Sequence, residues 1–115
     1  MSLRTLALIF ILAPLASVAF GFQEGNDSAT RAVKGVVTGA DSRPVDGAVV
    51  QLSDTRTLQI RSFVTKADGA YHFAGLSTNS PYEIHAEHNG ATSGTKRLDV
   101  YNQHAVVTIN LKLNK

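Results

Sequence analysis

The sequence predicts an all-β domain, a seven-stranded antiparallel β-sandwich, and three observations carry that expectation. From Val33 onward apolar and polar residues alternate with a period of two, which sends every second side chain to one face of a strand. Clusters of Gly, Pro, Asn and Asp break the alternation every eight to twelve residues, the spacing of a sandwich built from short strands. No stretch after residue 22 shows a helical period. A closed barrel is the alternative architecture.

The chain has 115 residues, enough for one domain. Its first residues read as a signal peptide, 1–21. Arg4 supplies a positive start, Thr5 to Phe20 is almost wholly apolar, and Ser17, Ala19 and Gly21 offer small residues for cleavage after Ala19 or Gly21. The competing reading is an uncleaved membrane anchor, but the apolar run is short for a span and contains Pro14. Residues 22–31, "FQEGNDSATR", are polar and aperiodic and read as a flexible leader. The domain is then expected over 32–115.

The strands follow in order. "VKGVVTG" places Val33, Gly35 and Val37 on one face, and "ADSRPVDG" is a turn cluster containing Pro44 and Asp46-Gly47. "GAVVQLS" puts Ala48, Val50 and Leu52 together. "QIRSFVT" puts Phe63 and Thr65 together, after a polar connection. Lys66 to Gly69 turns the chain, with Asp68-Gly69 suited to a tight hairpin, and Tyr71 and Phe73 both point inward on the return. After the loop "LSTNSP", "YEIHAEH" sends Tyr82, Ile84 and Ala86 inward, and Asn89-Gly90 is a second hairpin signal. "TKRLDVY" holds Leu98 and Val100 in register. "AVVTINLKL" sets Val107, Ile109, Leu111 and Leu113 against Thr108, Asn110 and Lys112.

Four segments in this order, "GVV", "RPVDGAVVQL", "TKADGAYHFAGL" and "YEIHA", resemble the carboxypeptidase regulatory-like domain. The resemblance runs from about Ala32 to Lys115 and implies a transthyretin-like (prealbumin-like) sandwich of the kind found in secreted and cell-envelope proteins. The residues that carry it are architectural: Gly35, Pro44, Gly47, Ala48, Thr65, Asp68, Gly69, Tyr71, Phe73, Leu76 and Tyr82. Leu76 is expected to cap the core from the loop after its strand. Two positions depart from the family pattern: Lys66 stands where an Asp is common, and Ala91 where an aromatic is common.

Little in the sequence points to catalysis. There is no cysteine, which removes thiolate zinc sites, disulfides and cysteine nucleophiles. No H-x-x-E, H-E-x-x-H or G-x-S-x-G occurs, so the zinc ligands of the peptidases that carry this domain are missing. Glu83, His85 and Glu87 share an outer face, which a solvated sheet surface explains, and His85 and His88 fall on opposite faces. His72 and His104 are expected to be exposed. Asp99 and His104 have no nucleophile beside them, and Asp41, Asp46, Asp54 and Asp68 read as turn residues whose spacing matches no calcium loop.

Eleven Lys and Arg stand against nine Asp and Glu, and they are scattered, so nucleic acid is not an expected partner. A membrane partner is expected only if the N-terminal segment stays uncleaved. The expectation is a non-catalytic bacterial exported module, secreted or in the periplasm or cell envelope, that docks onto another envelope or secreted protein without a cofactor. The alternative is a carbohydrate-binding module of carbohydrate-binding-like fold, its ligand a polysaccharide. With no Trp and four of the five sandwich aromatics facing inward, only Tyr101 is left as a ligand contact.

Overall fold

The structure, a computed structural model, describes residues 30–115. The expected signal peptide, 1–21, and nearly all of the expected leader, 22–31, lie outside that range. Two leader residues do not: Thr30 and Arg31 open the first strand, and Arg31 is buried, so the leader boundary at residue 31 is corrected. Among the described residues no helix is long and apolar enough to cross a membrane.

Among the described residues nine strands form two sheets. They are β1 (Thr30–Thr38), β2 (Val49–Asp54), β3 (Ile60–Val64), β4 (Ala70–Ser77), β5 (Tyr82–His88), β6 (Ala91–Thr92), β7 (Lys96–Leu98), β8 (Val106–Thr108) and β9 (Leu111–Lys112). One sheet runs β4-β1-β8, with β9 continuing along β1; the other runs β3-β2-β5-β6, with β7 also on β5. The sandwich class holds, while the count and two pairings differ from seven antiparallel strands. β6 follows the Asn89-Gly90 turn, and the expected last strand is broken into β8 and β9, both parallel to β1. β7 ends at Leu98, and Val100 and Tyr101 lie in a turn rather than in the strand.

Period-two patterning builds the core. Val33, Val37, Tyr71, Phe73, Leu76, Leu111 and Leu113 face Val50, Leu52, Tyr82, Ile84, Ala86 and Leu98 across the sandwich, all buried. Burying side chains of this size stabilises by about 1.5–3 kcal/mol each. Phe63 is only half-buried, because β3 lies at the edge of its sheet, and it packs edge-on to Phe73 with ring centroids 6.2 Å apart.

Leu76 is not in a loop. β4 carries a bulge, with Val33 opposite Phe73 but Arg31 opposite Leu76, and Gly75 sits there at φ +69°. The extra residue lets Phe73 and Leu76, three apart, face the same core. At the far end, Asn89 (φ +50°) and Gly90 (φ +82°) form the two-residue hairpin joining β5 to β6.

The expected Asp68-Gly69 hairpin is corrected. β3 pairs with β2 and β4 with β1, so Lys66–Gly69 is a corner that carries the chain from one sheet to the other. Only Gly69 has a positive φ, and its carbonyl accepts from Val37 N, which commits the next strand to β1.

Candidate functional site

The motif residues form three structural stitches. At the first, Thr65 donates its hydroxyl to Val45 O (2.6 Å) and accepts from Ala48 N (2.9 Å). Gly47, at φ +84°, donates its amide to Thr65 O, and Asp68 Oδ1 accepts from Ala70 N. A Cβ on Gly69 would lie 2.6 Å from Val37 O and 3.1 Å from Pro44 Cβ, so the turn cluster and the corner interlock through a missing side chain. Ala48 is fully buried beside them.

The second stitch joins the last strand to the first. Between β8 and β9 the backbone of Ile109 comes close to β1: its amide donates to Lys34 O, and its carbonyl accepts from the Tyr71 hydroxyl. Burial pushes the Tyr71 hydroxyl well above its ordinary 10.0, so it stays a donor through the physiological range. Gly35 makes the approach feasible. Its own Cβ would overlap the Ile109 carbonyl oxygen and lie 2.9 Å from Tyr71 Cε1. Asn110 Oδ1 accepts the Val36 amide, which the strand break would otherwise leave open.

The third stitch was not anticipated. Arg31 is buried and donates to four backbone carbonyls: Ser77 O (3.2 Å), Asp99 O (2.7 Å), Asn102 O (3.0 Å) and Ser80 O (2.7 Å). Its guanidinium carbon lies 5.9 Å from the Tyr82 ring centre, and the Tyr82 hydroxyl accepts from Ser77 N. One cation thus joins the start of β1 to the β4–β5 and β7–β8 connections. A signal existed: Arg31 has the same period-two phase as Val33, Gly35 and Val37.

Nearby, Asp54 caps the β2–β3 turn, its Oδ1 accepting from Arg56 N (2.8 Å) and Thr57 N (3.1 Å). Burial alone would raise its carboxyl, but the Thr57 and Arg56 amides and the Ser80 and Thr57 hydroxyls outweigh that and hold it below the ordinary 3.8. The folded state therefore holds the proton less well than the unfolded chain, so this contribution to stability is present above the ordinary value and lost as pH falls through the lowered one. We expect the melting temperature to fall more steeply below about pH 4 in the wild type than in Asp54→Asn. Equal slopes by circular dichroism would remove Asp54 as the cause.

The remaining polar groups are dispersed. His85 lies beside Glu87 (3.2 Å) and Arg97 beside Glu83 (3.5 Å) on the outer sheet face, while His88 Nδ1 contacts Gly47 O at 3.2 Å. His72 and His104 are exposed, His72 stacking at a tilt on Phe63 with centroids 5.5 Å apart. The described residues form several shallow depressions, of which two are broad. One, of about 520 Å³, has Asp41, Arg43, Asp46 and His88 at its rim; the other, of about 540 Å³, has Lys34, His72, Thr108 and Asn110. Among the described residues no three His, Asp or Glu converge as metal ligands.

Tyr101 is 86% exposed, on a turn whose amides at Tyr101 and Asn102 donate to Asp99 Oδ1. That turn is the one Arg31 holds. Of the other large exposed apolar side chains, Val106 lies on β8 and the rest gather elsewhere: Val49, Leu58, Ile60 and Val64 lie on β2, on β3 and in the turn between them. No sequence signal separated this strip from the core-facing strands, since exposure there depends on which strand is outermost.

Comparison with known proteins places this architecture. Solved structures with the same fold include the dioxygenase domain of a dioxygenase carbohydrate-binding protein fusion from Streptomyces sp. SirexAA-E, at 14% identity and a TM-score of 0.53, covering 76% of this chain and 80% of that one. Catechol 1,2-dioxygenase from Acinetobacter sp. ADP1 matches at 14% identity and 0.55, covering 77% of this chain and 53% of that one. The major pilin subunit of Bacillus cereus matches at 12% identity and 0.60, covering 76% of this chain but 30% of the pilin. At these identities the likeness concerns the fold. A search of curated proteins returned no match. The family model of the carboxypeptidase regulatory-like domain matches residues 32–114, and the chain belongs to that family.

Proposed function

We propose that this protein is a non-catalytic exported module that docks onto another envelope or secreted protein. The observation that carries this reading is the strip at Val49, Leu58, Ile60 and Val64, large apolar side chains left in solvent on one flank while the core is otherwise complete. The polar residues Thr65 and Asp68 of the motifs, and Arg31 just before them, support it from the other direction, because they are engaged with backbone groups. Export is supported by the layout of residues 1–21.

A second reading, glycan binding, rests on the exposed ring of Tyr101 on its fixed turn. One experiment separates the two. The protein is expressed from Met1 and passed over insoluble polysaccharides and an envelope protein extract. Docking predicts retention of one defined envelope protein and none on glycan. Retention on a polysaccharide, released by free sugar and lost in Tyr101→Ala, would replace docking with glycan binding.

A further inference from the structure

The two flanks of the sandwich are finished differently. On one, the C-terminus crosses between the sheets: Leu113 N donates to Thr38 O, and Asn114 N donates to Thr92 O. The other flank is bounded by the edge strands β3 and β4, and among the described residues it is bridged by the Lys66–Gly69 corner and by side chains.

β3 is left open there. Hydrogen bonds at its two ends, Asp54 N to Gln59 O (2.8 Å) and Thr65 N to Ala48 O (2.9 Å), fix the phase of the ladder. Residues 59, 61, 63 and 65 turn their backbone groups to β2, so the amides and carbonyls of Ile60, Ser62 and Val64 point away from the sheet. Among the described residues nothing pairs with that edge.

Exposed edges are normally guarded by an outward charge. Here the charge on β3 is turned aside: Arg61 donates from Nη1 to Ala74 O (2.9 Å) and from Nη2 to Gly75 O (3.4 Å), both on β4. What lies along the edge instead is apolar, with Ile60 62% and Val64 58% exposed. Three cations belong to this stretch of chain: Arg56 in the β2–β3 turn, its Nε donating to Ser80 Oγ (3.2 Å), Arg61 on β3, and Lys66 just beyond it. The ion pairs of the described residues, Arg43–Asp41, His85–Glu87 and Arg97–Glu83, include none of them.

We propose that β3 is a strand-addition site for an extended acidic-ended segment. Resting on the docking reading, this names its partner class: the backbone of the segment completes the sheet, its alternate residues are apolar and cover Ile60 and Val64, and its ends carry Asp or Glu opposite Arg56 and Lys66. A second copy of this chain is the poorer occupant, because it brings the same three cations to the same strip.

The probe is a blocked synthetic peptide, Glu-Val-Thr-Val-Thr-Val-Glu, with a lysine-ended version as control, added to the protein expressed from Met1. The acidic peptide should bind saturably and shift the amide resonances of Ile60, Ser62 and Val64. The lysine-ended peptide should bind at least tenfold more weakly at low salt, the gap closing as salt rises. Ser62→Pro should weaken binding at least tenfold with the fold retained, since the Ser62 amide makes no bond to β2. Should that variant unfold, Val64→Lys provides the same readout from the outer face.

Equal binding of both peptides, binding by neither, or shifts confined to another strand would overturn the proposal. Concentration-dependent dimerisation abolished by Val64→Lys would also overturn it, in favour of self-pairing. The extract experiment keeps the two inferences apart. An envelope partner captured equally by wild type and Val64→Lys removes the β3 site and leaves docking standing. Peptide binding at β3 with no partner captured by either form upholds strand addition and sinks docking.

Discussion

Arg31→Ala is expected to lower the stability of the domain by about 3 kcal/mol or more, because hydrogen bonds from a charged donor contribute roughly 1.5–3 kcal/mol each and several are lost together. Four carbonyls, on Ser77, Ser80, Asp99 and Asn102, would lose their shared donor inside the fold. A small domain has only about 5–15 kcal/mol in total, and each kcal/mol moves its midpoint by roughly 4–8 °C, so the melting temperature should drop by tens of degrees. Arg31→Lys should recover little: an ammonium on a single stem cannot serve acceptors spread around a planar fork. Thermal unfolding of the two variants checks this. A melting temperature for Arg31→Ala within a few degrees of wild type would show that water replaces the guanidinium at little cost.

The second large effect is expected from a single methyl group. Gly35→Ala sets a Cβ into the Ile109 carbonyl, 2.7 Å from its carbon, and 2.9 Å from Tyr71 Cε1. Overpacking against side chains costs typically about 1–3 kcal/mol. Here the obstacle is backbone that also accepts the Tyr71 hydroxyl, so it cannot swing aside, and the cost should exceed that range. The expected result is a chain whose β8–β9 segment detaches from β1, with amide exchange accelerated at Ile109 and in β9. Gly94→Ala is the matched control, since nothing lies within 4 Å of a Cβ there. Native exchange rates at Ile109 in Gly35→Ala would mean that β1 and the last strand can separate without loss.

What the sequence made legible was the local part of the fold. Tyr71, Phe73, Tyr82, Ile84 and Ala86 face the core as their alternation implies, and Asn89-Gly90 turns as its composition implies. What it hid were the non-local choices. Asp68-Gly69 carries the same turn chemistry whether the next strand returns to β3 or leaves for the other sheet, and only the Val37–Gly69 hydrogen bond decides which. The bulge that places Leu76 depends on register against Arg31, three connections back along the chain. Arg31 was obscured because a charged residue after a polar run looks solvated until four carbonyls from distant loops are found around it. The open edge at β3 was illegible for the same reason. Ile60 and Val64 read as ordinary strand residues until the pairing order leaves them outermost.

The parallel pairing of β1 with β8 and β9 has a kinetic consequence. Val33 meets Phe73 on one side and Val107 on the other, so β1 is central to its sheet and its second neighbour is made much later in the chain. At roughly 5–20 residues per second, Val33 waits several seconds on the ribosome before Val107 exists. Sheets closed by such distant contacts form slowly, in about milliseconds to seconds, even once the whole chain is present. The nascent chain therefore spends much of its synthesis with β1 short of a neighbour.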